Sequence, residues 1–233
     1  MRSFILYVFA SAACIQVACR DRSASPPAEA IATSVATRKE KAEPTCPALS
    51  DLRLSADTIG RLATHQTVGV LRRLCPTATS DDAGVGGEIS PALRFAIPGG
   101  SLWAIQTAYG YRDSLRRAEQ ADLWAATGDS LRFPDGALIP MRVGALRALD
   151  SVAVIVVQHG DDSGGSYIVR CKYPSLEIVI GNDWPSFADS GVVPLSRASV
   201  RDTTSVWRVL IEPGRVDAVV TRACANRGLP NGR

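Results

Sequence analysis

The sequence predicts an α+β fold of two tandem units, each a short helix packed on antiparallel strands, stapled by disulfides. Three observations predict it. Val68-Gly69-Val70-Leu71-Arg72-Arg73-Leu74 and Val143-Gly144-Ala145-Leu146-Arg147-Ala148-Leu149 share the pattern Val-Gly-x-Leu-Arg-x-Leu at an offset of 75 residues. Runs of strand-forming residues with Pro-bearing turns follow each copy. The globular part holds an even set of cysteines, Cys46, Cys75, Cys171 and Cys224.

Length and composition set the frame. The 233 residues suffice for one domain with appendages or two small ones. A hydrophobic fraction of 46% is ordinary for a globular chain and excludes a wholly disordered one. Lys+Arg number 26 against 23 Asp+Glu, a net charge of +3. That balance, with no Lys/Arg stripe, excludes a nucleic-acid partner. No Cys-x-x-Cys pair exists and neither His has zinc-ligand spacing, so no metal or other cofactor is expected.

The N-terminus opens Met1-Arg2, continues with an apolar run over residues 3–10, and reaches small residues before Cys19. Residues 1–18 read as a lipoprotein-type signal peptide. The run is shorter than the roughly 20 residues that span a bilayer. Ser11-Ala12-Ala13-Cys14 and Gln16-Val17-Ala18-Cys19 both resemble the bacterial lipoprotein signal, whose Cys is acylated, although neither has the usual Leu three residues before it. Lipidation at Cys19 is preferred over Cys14, because it leaves an even set of cysteines for an oxidising compartment. Ordinary secretion as a soluble protein stays open. Residues 19–45, with Pro26-Pro27 and Arg38-Lys39-Glu40-Lys41, lack apolar periodicity and read as a disordered tether. The residue after Cys19 is Arg20 and not Asp, which favours the outer membrane.

Residues 46–220 form the predicted body, with repeat-like units over about 51–110 and 121–181 and then a C-terminal strand. In each helix Val, Leu and Leu fall at i, i+3 and i+6, on one face. Thr64 or Thr67 can cap the first helix, and Cys75-Pro76 ends it. Pro140 opens the second and Asp150-Ser151 closes it. Strands are expected at 92–97 and 101–105 around Pro98-Gly99-Gly100. A hairpin is expected from 122–127 and 130–133 around Gly128-Asp129. Further strands are expected at 152–157, 167–172, 176–180 and 206–211. Residues 111–120 are ambiguous, and 221–233 read as a flexible tail. Of the three pairings open to four cysteines, the expected one is Cys46–Cys75 and Cys171–Cys224. Loops of about 30 and 50 residues each contribute roughly 3–4 kcal/mol in the chain-entropy account.

A short Val-Gly-x-Leu helix followed by an antiparallel sheet resembles small bacterial envelope modules. These are the outer-membrane barrel-assembly small lipoprotein and the β-lactamase inhibitory protein, the second being itself a tandem repeat of such a unit. The likeness is one of topology and covers residues 59–210. The Gly-Met-Thr helix opening of those families is absent; Gln66-Thr67-Val68 and Met141-Arg142-Val143 stand in its place. The resemblance implies a secreted protein that works by binding other proteins. It carries over no binding residue.

One motif suggests chemistry. Asp162-Ser163-Gly164-Gly165 matches the core of the nucleophile motif of chymotrypsin-like proteases, where glycines let backbone N–H groups form an oxyanion hole. The base would be His159 or His65. Asp161 stands where that motif has Gly, and a helix-bearing repeat conflicts with a double β-barrel. The preferred reading is a polar turn. Asp161 and Asp162, with His159 beside them, form a candidate ligand loop, although the spacing of a calcium loop is absent. Trp184, beside Pro185, is a candidate exposed interface anchor. Gly84-Val85-Gly86-Gly87 lacks the Lys-Ser/Thr of a phosphate loop and reads as a connection.

These readings converge on a lipid-anchored envelope protein that faces the periplasm or the exterior. It would act as a non-catalytic protein-binding or scaffold module with an envelope protein partner, held to the membrane by its lipid. The alternative is a secreted serine hydrolase using Ser163.

Overall fold

The computed structural model describes residues 46–85, 88–107, 114–149, 152–157, 166–181 and 191–225. Among them the chain runs β1 (Thr58–Ile59), β2 (Leu62–Ala63), α1 (Val68–Leu74), β3 (Thr79–Val85), β4 (Glu88–Ile97), β5 (Gly100–Ile105) and β6 (Leu123–Thr127). It continues with α2 (Val143–Leu149), β7 (Ala153–Val157), β8 (Tyr167–Arg170), β9 (Leu176–Ile180), β10 (Gly191–Pro194), β11 (Val206–Ile211) and α3 (Ala218–Ala225). The fold is mostly β. Nine of the described strands form one sheet in the order β10-β7-β8-β9-β11-β6-β5-β4-β3, with antiparallel pairing throughout.

The strand order has a plan. β3 to β6 form one meander, and β7, β8, β9 and β11 form another, with β10 added outside β7. The last strand of each meander meets the other at the centre, where Trp124 faces Ile211 and Ala126 faces Val209. A helix precedes each meander, and both are docked in the same way. The N–H groups of Val68 and Gly69 donate to the carbonyls of Glu119 (2.9 Å) and Arg117 (2.8 Å). Those of Val143 and Gly144 donate to Thr204 (3.0 Å) and Asp202 (3.0 Å). Thr67 bridges Gln120 as Arg142 bridges Ser205. The segments that receive the two helices are thus offset by 85 residues.

Seven residues are too few for a helix to persist alone in water. Packing holds both: Val68 and Leu71 are buried, as are Val143 and Leu146. The third apolar residue of each expected stripe behaves otherwise. Leu74 and Leu149 are 45% and 41% exposed, because each helix ends at that residue and carries it past the sheet. Thr67 takes the N-cap position of α1 without a side-chain capping bond, and Thr64 donates instead to the Ala56 carbonyl (2.6 Å).

Alternation along the strands separates two faces. Leu93, Phe95, Leu102, Ala104, Trp124, Ile155, Ile168, Ile178 and Val209 share the main core with both helices and with Leu49, Leu54 and Leu62. Trp124 stacks on Phe95 and donates its indole N–H to the Thr64 carbonyl (3.1 Å). On the opposite face, Val154, Tyr167, Val169 and Val179 pack with Val220 and Cys224 of α3. Ala83, Ala92, Ile105, Leu123 and Ala125 pack separately, with Trp103 and Leu210 against them.

Both expected disulfides form, Cys46–Cys75 and Cys171–Cys224. Several sequence expectations need correction. Residues 130–133 form no strand; Arg132 makes only isolated bridges, to Arg53 and Leu138. Residues 122–127 do not start a second unit, since β6 pairs with β5 and closes the first meander. Residues 221–225 are not tail but the end of α3, held by Cys224. Gly84 and Val85, read from the sequence as connection, end β3, and neither the rest of β3 nor β10 is among the expected strands.

Candidate functional site

The residues singled out for chemistry fall mostly outside the described part. Cys14, Cys19, His159, Asp161, Asp162, Ser163 and Trp184 all do. His65 is described: it is exposed, in the turn between β2 and α1. Among the described residues no cluster of His, Cys, Asp and Glu is arranged to hold a metal.

The surface with character is the sheet face opposite α1 and α2. Its centre is β11, and a bulge shapes it. Val206 faces Ile180 and Arg208 faces Val179, so Trp207 is one residue more than β9 can match. Trp207 is 62% exposed, an unusual state for so large an apolar side chain in a central strand.

Arg208 reaches across this face. Its terminal N–H donates to the carbonyl of Gly84 at 2.6 Å. Gly84 lies on β3, and β6, β5 and β4 separate that strand from β11 in the sheet. Four strand spacings would be roughly 19 Å in a flat sheet, longer than an arginine side chain. The sheet therefore curls strongly, and the β3–β4 arm turns back over the face. Small residues at Ala83, Ala92 and Ala125 leave room for the curl.

The curl encloses a cleft of about 210 Å³, lined by Asp81, Asp82, Ala83, Gly84, Trp103, Ile105, Ala125 and Arg208. Trp103 donates its indole N–H to Asp81 Oδ2 (3.1 Å), and the Asp82 N–H donates to Asp81 Oδ1 (2.9 Å). Arg208 forms no ion pair among the described residues, and its Nε is buried without a partner. Burial pushes its pKa below the ordinary value.

On the α3 side the face is acidic. Glu177, on β9 opposite Leu210, is half-buried. Burial first, and then the charges of Glu212 and Asp217, raise its pKa to about 7, with Arg215 opposing. Asp217 holds the start of α3: its Oδ1 accepts the Val219 N–H (2.7 Å) and its Oδ2 accepts the Tyr167 hydroxyl (3.0 Å).

Sequence reasoning missed Asp81, Asp82, Trp103, Glu177, Trp207 and Arg208. The period-two alternation of residues 100–105 and 206–211 was the one available signal, since it puts Trp103 and Arg208 on the faces opposite the main core. Compared with family models, curated proteins and solved structures, the chain matches none.

Proposed function

We propose that this chain is a lipid-anchored bacterial envelope protein that acts as a non-catalytic protein-binding module. We further propose that its body is one helix-and-strands unit present twice. The observation that carries the binding reading is Trp207, 62% exposed on a bulge of the central strand. Exposed tryptophans of this kind anchor protein interfaces more often than other residue types do. The duplication reading is supported by the shared Val-Gly-x-Leu-Arg-x-Leu helices, by their matching hydrogen bonds, and by the two meanders that join through their last strands. The envelope reading is supported by the N-terminal signal-like segment and by two disulfides, which persist in oxidising compartments.

The experiment is site-specific photo-crosslinking in intact cells. A photoreactive amino acid replaces Trp207, and a control replaces exposed Arg73 on α1. One reproducible adduct from position 207 and none from position 73 is the expected result. Equal adducts from both positions, or none from 207, would sink the binding reading. The mass of the purified mature chain tests the anchor, since a chain beginning at a diacylated or triacylated Cys19 is expected.

A further inference from the structure

We propose that the cleft between β3 and β11 binds a small zwitterion of the α-amino acid class. Its carboxylate would lie on Arg208, its ammonium group toward Asp81, and its apolar side chain against Trp103 and Ile105. The site is independent of any protein partner at Trp207.

The argument starts with Arg208. It lines the cleft, gives one terminal N–H to the Gly84 carbonyl, and keeps its other terminal nitrogen without an acceptor among the described residues. No carboxylate forms an ion pair with it among the described residues, while burial disfavours its charge. A partly desolvated guanidinium with a free terminal nitrogen gains more from a carboxylate than from a neutral acceptor.

The rest of the lining narrows the ligand. Asp81 has both oxygens held by neutral donors, the Trp103 indole and the Asp82 amide, so its negative charge stays uncompensated. Asp82, the next residue on β3, turns its side chain to the other face of the sheet. The Asp81 carboxylate repels a simple anion such as phosphate, and Arg208 repels a simple cation. A molecule carrying both charges meets neither objection. Trp103, Ile105, Ala83 and Ala125 supply an apolar wall. A volume of about 210 Å³ is below the 300–1,000 Å³ of drug-sized sites, which limits the ligand to the size of a single amino acid.

Calorimetric titration of the full chain tests this with three forms of one compound: L-leucine, N-acetyl-L-leucine and L-leucinamide. The free amino acid is expected to bind with a Kd at or below about 1 mM. Each derivative, lacking one charge, is expected to bind at least tenfold more weakly. Arg208→Gln is expected to abolish binding of L-leucine. Asp81→Asn is expected to weaken L-leucine but not N-acetyl-L-leucine. Absence of heat with L-leucine and with L-phenylalanine would overturn the proposal. So would equal affinity for the N-acetylated form, or binding that survives both substitutions.

Discussion

Gly69 and Gly144 hold corresponding places, and at both the missing side chain lets a helix touch its receiving segment. A Cβ on Gly144 would stand 2.6 Å from the Cβ of Asp202, and one on Gly69 would stand 3.0 Å from the Arg117 carbonyl oxygen. Glycine to alanine in an ordinary helix interior stabilises by up to about 1 kcal/mol. Here the contact reverses the sign, because the overlap involves atoms close to the backbone and not a flexible side-chain end. Gly144→Ala is expected to destabilise by roughly 1–3 kcal/mol, the usual range for overpacking. Chemical denaturation of the variant checks this, and a midpoint higher than the parent's would refute it. The motif was legible because a glycine in a short apolar helix asks for a reason. The reason lay 48 and 58 residues further along, in Arg117 and Asp202, beyond the reach of local pattern.

At the scale of elements, legibility followed residue chemistry. Residues 68–74 and 143–149 were read with the bounds they have, because apolar spacing and flanking Pro mark them. β7, β9 and β11 were legible from their Val, Ile and Leu. β3 was not, since Thr-Ser-Asp-Asp-Ala-Gly-Val holds residues that strands avoid; pairing along β4 overrides that preference. α3 was missed because its eight residues offer only the Asp217 cap and a short apolar stretch. Its docking introduces a pH dependence. Native Glu177 keeps its proton to about pH 7, whereas an ordinary glutamate releases it near 4.5. Between those values the native state binds more protons than the unfolded one. Stability therefore falls as pH rises from about 4.5 to 7 and levels off above. The span corresponds to roughly 3 kcal/mol at most. Glu177→Gln is expected to remove this fall and to be more stable than the parent at pH 8. Urea midpoints measured between pH 4.5 and 8 would show it, and parallel curves for the two proteins would contradict it.

For the whole molecule, the two meanders raise the question of whether their halves of the sheet unfold separately. The main core runs without a break from Phe95 and Trp124 in one meander to Ile178 and Val209 in the other. Neither disulfide crosses between the halves, so the coupling rests on that core and on the β6–β11 pairing. One cooperative transition is expected. Calorimetry should give a single peak whose calorimetric and van't Hoff enthalpies agree, and two resolved peaks would disprove the coupling. The cleft belongs to this scale as well. Its lining comes from β3, β5, β6 and β11, and Asp81 and Arg208 meet in it only because the chain's last strand lies at the middle of the sheet. No reading of short segments could have assembled it.

The ends of the strand order carry a different consequence. Among the described residues β3 and β10 each have one neighbour, and such borders invite further strands and aggregation. The border at β3 carries adjacent charges at Asp81 and Asp82, and the border at β10 is four residues long and finishes in Pro194. Both are standard deterrents to strand recruitment. Copies at high local concentration would thus stay separate, and the nine-stranded sheet would not grow into a fibre.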